Sequence, residues 1–303
     1  MLVVYFVNYF IAKGQPAAWL NNTGWRWMFA SEGIPAVLFL FMLVWVPESP
    51  RFLMLKTKEL QARDVLYKIH TPTNVPGLLE EIRDSLKDKR RHWLSYGGMV
   101  LFIGVMISVF QQFVGINVVL YYAPEIFRNM GSNTDSSLLQ TIVVGAVNLS
   151  FTVLAIQYVD NWGRKPLLIS GALGMAISMF GLGLLFFSNK LGFVSLLFML
   201  TYTASFAISW GPVAWVMLSE IFPNSIKGAM SMAIAAQWIA NLIISWTFPM
   251  MNDNPLLQTL FNKGFPYFIY GIVAIVAAWF VWRFVPETKG KTLEQIEKVW
   301  VRK

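Results

Sequence analysis

The sequence predicts an all-α polytopic membrane protein, and three observations carry that expectation. Hydrophobic residues make up 56% of the 303 and charged residues 13%, roughly half the charged share of a soluble domain. Apolar windows long enough to cross a bilayer as helix recur along the whole chain. Lys and Arg gather in alternate loops, with 19 of the 24 in segments 47–95, 160–165, 219–228 and 283–303. Such a bias marks cytoplasmic loops. The opposite loops hold only Lys13, Arg26, Arg128, Lys190 and Lys263, so the threading puts both ends in the cytoplasm. The net charge of +8 has the same origin and calls for no nucleic-acid partner; the lipid bilayer is the expected surrounding.

Taken in order, the first apolar stretch is "LVVYFVNYFIA" at 2–12, too short to cross alone, which reads as the tail of a span. A signal peptide is the rival reading, opposed by the absence of a basic region before the apolar run. Residues 28–46 form the first complete window. Residues 54–94 then interrupt the pattern with charge, and Leu79, Ile82 and Leu86 recur at helical spacing beside "EEIRDSLKDKR". Short amphipathic helices on the cytoplasmic face are expected there. Six windows follow, at 97–120, 138–159, 166–187, 193–218, 229–250 and 266–285. "VPESPRFL" at 46–53 and "VPETKGKTLE" at 285–294 are similar exits from the membrane and suggest two related halves. The chain divides accordingly into 1–53, a remnant of an amino-terminal bundle; 54–95, a cytoplasmic helical linker; 96–285, a six-helix bundle; and 286–303, a cytoplasmic tail. If the halves match, about four spans of the first lie outside this sequence.

The stretch "QQFVGINVVLYYAPEIF" at 111–127 sets amides in an apolar run, where polar groups are costly without partners. Gln112 and Asn117 differ by about 140° on a regular helix, so only a break near Gly115 aims both at one point. Broken helices lining a midplane cavity occur in secondary transporters. One amide alone would read as a helix-to-helix hydrogen bond; three around a glycine favour a site. Gln237 and Asn241 lie four apart with Trp238 beside them, Asn148 sits alone in its span, and Gly211 and Trp215 flank Pro212. None is charged. Amides offer donors and acceptors to hydroxyls, and aromatic faces cover the apolar side of a sugar ring, so the set suits a neutral polyol. Any one of these aromatics alone reads as packing or an interfacial belt residue rather than a ligand contact; their coincidence with the amides is what favours a site.

Charged residues collect where spans leave the membrane: Glu48 and Arg51, then Asp160, Arg164 and Lys165, then Glu220. Two readings stand. They pair into an inner gate that opens as the halves rock, or they are topology signal and helix capping, contributing little. Glu32, in "FASEGIPAVLF", fits a proton role or a lipid-interface position. The chain has no Cys, hence no disulfide or thiolate metal site, and His70 and His92 stand apart in polar segments. Walker A, dinucleotide-binding, HExxH and GxSxG patterns are all missing. Neither enzyme chemistry nor a cofactor has a foothold.

Together "QQFVGINVVLYYAP", "DNWGRKPLL", "WGPVAWVMLSEIFP", "PESPRFL" and "PETKGKTLE" resemble the sugar porter family of the major facilitator superfamily, over nearly the whole chain. The resemblance implies a partial form of that fold, about eight of twelve transmembrane helices, running from the fifth to the twelfth. It implies that Gln111, Gln112, Asn117, Tyr121, Asn148, Gly211, Trp215, Gln237 and Trp238 sit at or near a monosaccharide. Glu48, Arg164 and Glu220 would form an intracellular charge network, with Glu32 near the proton-coupling region. The implied activity is sugar transport by alternating access in a bacterial cytoplasmic membrane, with protons as second substrate. The family's coupling Asp and its partner Arg belong to helices with no counterpart here. Beside symport, a facilitative uniporter and a non-transporting sugar sensor therefore stay open, and xylose is not separated from glucose.

Overall fold

The computed structural model describes residues 2–71, 74–87, 98–222 and 227–290. His92, the basic run 89–91 and the tail beyond 290 lie outside them. Among the described residues seven helical stretches are long and apolar enough to cross a membrane: Leu20–Leu43, Gly98–Tyr121, Thr134–Trp162, Arg164–Phe187, Phe193–Ile221, Gly228–Asp253 and Phe265–Phe284. Each overlaps one expected window. The first is displaced furthest from its window at 28–46. It starts eight residues earlier, through a π-helical turn at Leu20–Gly24, and its last helix ends at Leu43. Pro47 bars Val46 from the helical region, so a nearby stop is expected.

The chain resolves into two compact units, residues 21–92 and residues 1–20 with 93–303. In chain order the helices are α1 (Leu2–Ala12), α2 (Ala17–Trp19), α3 (Trp25–Ser31), α4 (Gly33–Leu43), α5 (Pro50–Leu55), α6 (Glu59–Ile69) and α7 (Val75–Lys87). There follow α8 (Gly98–Phe113), α9 (Ile116–Tyr121), α10 (Ala123–Asn129), α11 (Thr134–Trp162), α12 (Arg164–Phe187) and α13 (Phe193–Ile208). The last are α14 (Trp210–Ile221), α15 (Lys227–Asp253), α16 (Pro255–Phe261) and α17 (Phe265–Phe284).

In the unit 21–92, α4 leaves Phe39, Leu40 and Phe41 more than 60% exposed, which suits contact with lipid rather than water. Ser49 accepts a hydrogen bond from the Phe52 amide and Pro50 opens α5, a strong start signal. The charged stretch does form amphipathic helices. They turn their apolar sides on one another, and Leu53, Ala62, Val65, Leu66, Val75 and Leu79 make a small core of their own with Ile82 packed against it. The Arg83–Glu59 pair across α6 and α7 is half-exposed on both sides and contributes little.

In the other unit α12 packs on α13 and α17, α8 on α15, and α11 on α13. The helix α1 lies along α11. A Cβ at Gly145 would stand 2.8 Å from the Tyr5 ring, so the bare glycine is what lets the two helices close. Residues 1–20 thus group with 93–303, whereas the sequence reading joined them to the span that follows. Among the described residues Trp210, Tyr202, Tyr267 and Tyr270 are the bulkiest fully buried side chains.

Candidate functional site

The polar cluster is built on two interrupted spans. The first, Gly98–Tyr121, breaks at Gly115, whose φ of 91° puts it in the left-handed region. Glycine reaches that region without Cβ strain. The Tyr270 ring lies against it, leaving no room for a side chain, since a Cβ there would stand 2.8 Å from two ring carbons. The second span, Phe193–Ile221, breaks at Ser209 between α13 and α14. Pro212 has no N–H to offer the carbonyl one turn back, at Ile208. The sequence carries this signal beside Gly211, but a break here was not among the expectations.

Gln111 and Gln112, buried to 3% and 6% exposure, end the last full turn of α8. Gln111 donates through Nε2 to the carbonyls of Trp210, at 2.9 Å, and Gly211, at 3.2 Å. The turn at Gly115 brings Asn117 back so that its Nδ2 donates to Gln112 Oε1 at 2.6 Å and to Asn241 Oδ1 at 2.8 Å. Ser245 Oγ also donates to Asn241 Oδ1. Gln112 and Asn117 lie on different faces of a regular helix, and with the break at Gly115 the two side chains converge. Asn241, on the same face of α15 as Gln237, is the partner that sequence spacing could not pair with Asn117, 124 residues away.

Two amide oxygens in this region, Gln111 Oε1 and Gln237 Oε1, are buried with no hydrogen-bond partner among the described residues. A buried acceptor left unpaired costs about 1–3 kcal/mol, so the unit as it stands has acceptors to offer a hydroxyl donor. Trp238 is 61% exposed, Tyr121 50% and Trp215 40%; Trp238 shares α15 with Gln237 and Asn241, Tyr121 shares α9 with Asn117, and Trp215 lies on α14. Asn148 is half-buried on α11, one turn from Gly145. Among the described residues no hydrogen bond ties Tyr121, Trp215, Trp238 or the Asn148 side chain to the amide cluster. Glu32 is exposed at the junction of α3 and α4, its N–H bonded to Phe29 O at 3.1 Å. Glu48 is exposed ahead of α5. Both belong to the unit 21–92.

A second polar group forms where α11, α12, α14 and α17 end. Arg164 reaches Glu220 through Nη2 and Asp160 through Nη1, each at 2.9 Å. The Arg164 side chain is only 12% exposed and that of Glu220 22%. Thr288 Oγ1 donates to the other Glu220 oxygen at 2.6 Å. Glu287, just past α17, accepts from the backbone N–H groups of Arg164 and Lys165, so a carboxylate caps the N-terminus of α12, where the helix dipole favours negative charge. Gly163, with φ 90°, permits the approach, since a Cβ would lie 2.9 Å from Glu287 Oε2. Glu287 and Thr288 stand in the quoted "VPETKGKTLE" but more than 60 residues from every partner on α12 and α14, beyond what spacing can pair.

Residues 1–300 match the family model described as sugar (and other) transporter. A D-xylose-proton symporter of Escherichia coli strain K12 is 59% identical over 99% of this chain and 62% of its own length. A glucose facilitated diffusion protein of Zymomonas mobilis is 42% identical, over 99% of the chain and 64% of its own length. Among solved structures, the major facilitator superfamily proton:xylose symporter XylE bound to 6-bromo-6-deoxy-D-glucose superposes with a TM-score of 0.83 at 57% identity, covering 99% of this chain and 64% of that one. The chain thus spans a little under two thirds of the length of these relatives, and its helices follow part of the major facilitator fold.

Proposed function

The chain belongs to the sugar transporter family, and from that membership we propose that it serves sugar transport across a membrane by alternating access, as D-xylose:proton symport. The observation that carries the proposal is the uncharged cluster at the Gly115 break, with Gln112, Asn117 and Asn241 bonded together and the oxygens of Gln111 and Gln237 unpaired. Neutral donors and acceptors facing one another inside a bundle suit sugar hydroxyls and repel neither charge. Gln111, Gln112, Asn117, Asn148 and Gln237 take the hydroxyls; Tyr121, Trp215 and Trp238 cover the ring; Gly211 leaves its backbone open to approach. D-xylose is chosen because the relative at 59% identity carries that name.

In this reading Arg164 and Glu220, with Glu48, hold the cytoplasmic end shut in the outward-facing state and part as the bundles rock, and Glu32 takes part in proton coupling. The membrane is the bacterial cytoplasmic membrane, with both chain ends inside. Facilitated diffusion is the second reading, favoured by the 42% identity to a glucose facilitator. Cells expressing the protein as its gene encodes it should make an unbuffered medium more alkaline when D-xylose is added, because each sugar brings a proton in. Xylose uptake with no pH change would replace symport with facilitation, and absence of saturable uptake would remove transport altogether.

A further inference from the structure

The short helix α9 carries Asn117 between two backbone discontinuities, Gly115 before it and the turn at Tyr122 after it. Breaks of this kind leave carbonyls without intrahelical partners, and inside a membrane no bulk water satisfies them. Two tyrosines do so from different helices. Tyr202 of α13, 1% exposed, donates its hydroxyl to Val114 O at 2.7 Å. Tyr5 of α1 donates to Leu120 O at 2.9 Å. The hydroxyls therefore grip α9 just before its first residue and at its last full turn. Val114 also follows directly on the segment holding Gln111 and Gln112, while Gln111 in turn binds the carbonyls just past the Ser209 break. Each broken span is thus tied to the other by a side chain on a carbonyl: Tyr202 from α13 to the first break, Gln111 from α8 to the second.

We propose that Tyr5 and Tyr202 are positioning residues for the sugar: their hydroxyls fix α9, and with it the placing of Asn117 against Gln112 and Asn241, without touching the sugar themselves. The proposal rests on the sugar-binding reading above. Neither tyrosine is among the polar residues that the sequence pattern singles out, because a hydroxyl aimed at a distant carbonyl leaves no periodicity. Loss of either hydroxyl frees one end of α9, so the amides meet the sugar in the right geometry only part of the time. Apparent affinity falls in proportion to that fraction.

The test uses Tyr5→Phe and Tyr202→Phe, which remove one oxygen each and keep the ring. D-xylose binding by calorimetry and amide hydrogen exchange across 114–121 are measured together. Each variant should bind D-xylose on the order of 10-fold more weakly, with faster exchange in that segment. Tyr267→Phe is the control, a fully buried tyrosine stacked on Phe186 at 4.9 Å; it should leave affinity within about 2-fold. A merely structural role would lower melting temperature and binding-competent fraction while leaving the affinity of the folded fraction unchanged, and that result overturns the proposal. So does an equal loss in Tyr267→Phe. If the unaltered protein binds no sugar, the transport reading fails, and the affinity half of the proposal with it; exchange over 114–121 unchanged in both variants would overturn the grip on α9 as well.

Discussion

Gly115→Ala is expected to cost about 100-fold in sugar affinity. Two terms add. A non-glycine residue held in the left-handed region pays about 1–2 kcal/mol, and Gly115 has φ 91°. The new Cβ would also meet the Tyr270 ring at 2.8 Å, and forcing a methyl into packed surroundings typically costs about 1–3 kcal/mol. The chain relieves both by straightening toward a regular helix, which turns Asn117 about 140° from Gln112 and breaks the 2.6 Å bond between them. Calorimetric titration with D-xylose measures the loss, and a drop in melting temperature of several degrees should accompany it. Retained affinity would mean that the break does not shape the site.

Arg164→Ala is expected to act in the opposite way, leaving recognition nearly intact while changing which side of the protein is open. Removing the guanidinium takes partners from Glu220 and Asp160 together. Glu220 keeps only Thr288, and a carboxylate that is 22% exposed is then under-satisfied in the closed arrangement alone. The penalty is about 1–3 kcal/mol, enough to move a two-state equilibrium by roughly 10-fold or more toward the arrangement in which the network is already apart. These 303 residues contain no cysteine, so Ser219→Cys supplies the one thiol among them, near the end of α14. Its maleimide labelling rate should rise about 10-fold when Arg164→Ala is added, with D-xylose affinity changed less than about 3-fold. An unchanged rate would leave these charges as topology signal and helix caps.

The helices themselves are legible in the sequence, because bilayer length and apolar composition act locally and need no knowledge of neighbours. The break at Gly115 is legible for a related reason: Gln112 and Asn117 lie on different faces of any regular helix, so two costly amides point to a local departure. The Ser209 break shows what one residue type can hide. Pro212 announces it, yet a proline near the end of an apolar window is equally a mild kink. Pairings across the fold are not legible. Asn241 stands on the right face of α15, but only packing of α15 against α8 and α9 brings it to Asn117. The packing of α1 on α11 depends on Gly145, one small residue in "VVGAVNLS". Glu287 caps α12 from beyond α17, where the sequence shows only an acid at a membrane exit.

The claim that a sugar is held by neutral amides at a helix break is tested most directly by the D-xylose affinity of Gln111→Ala and Gln237→Ala. Their amide oxygens are buried acceptors without a partner among the described residues, so each is expected to take a sugar hydroxyl. Loss of one such bond should weaken binding by about 1–3 kcal/mol, or roughly 5- to 150-fold, with L-xylose failing to compete in the unaltered protein. Unchanged D-xylose affinity in both variants would contradict the account and place the sugar, if one binds, elsewhere in the bundle.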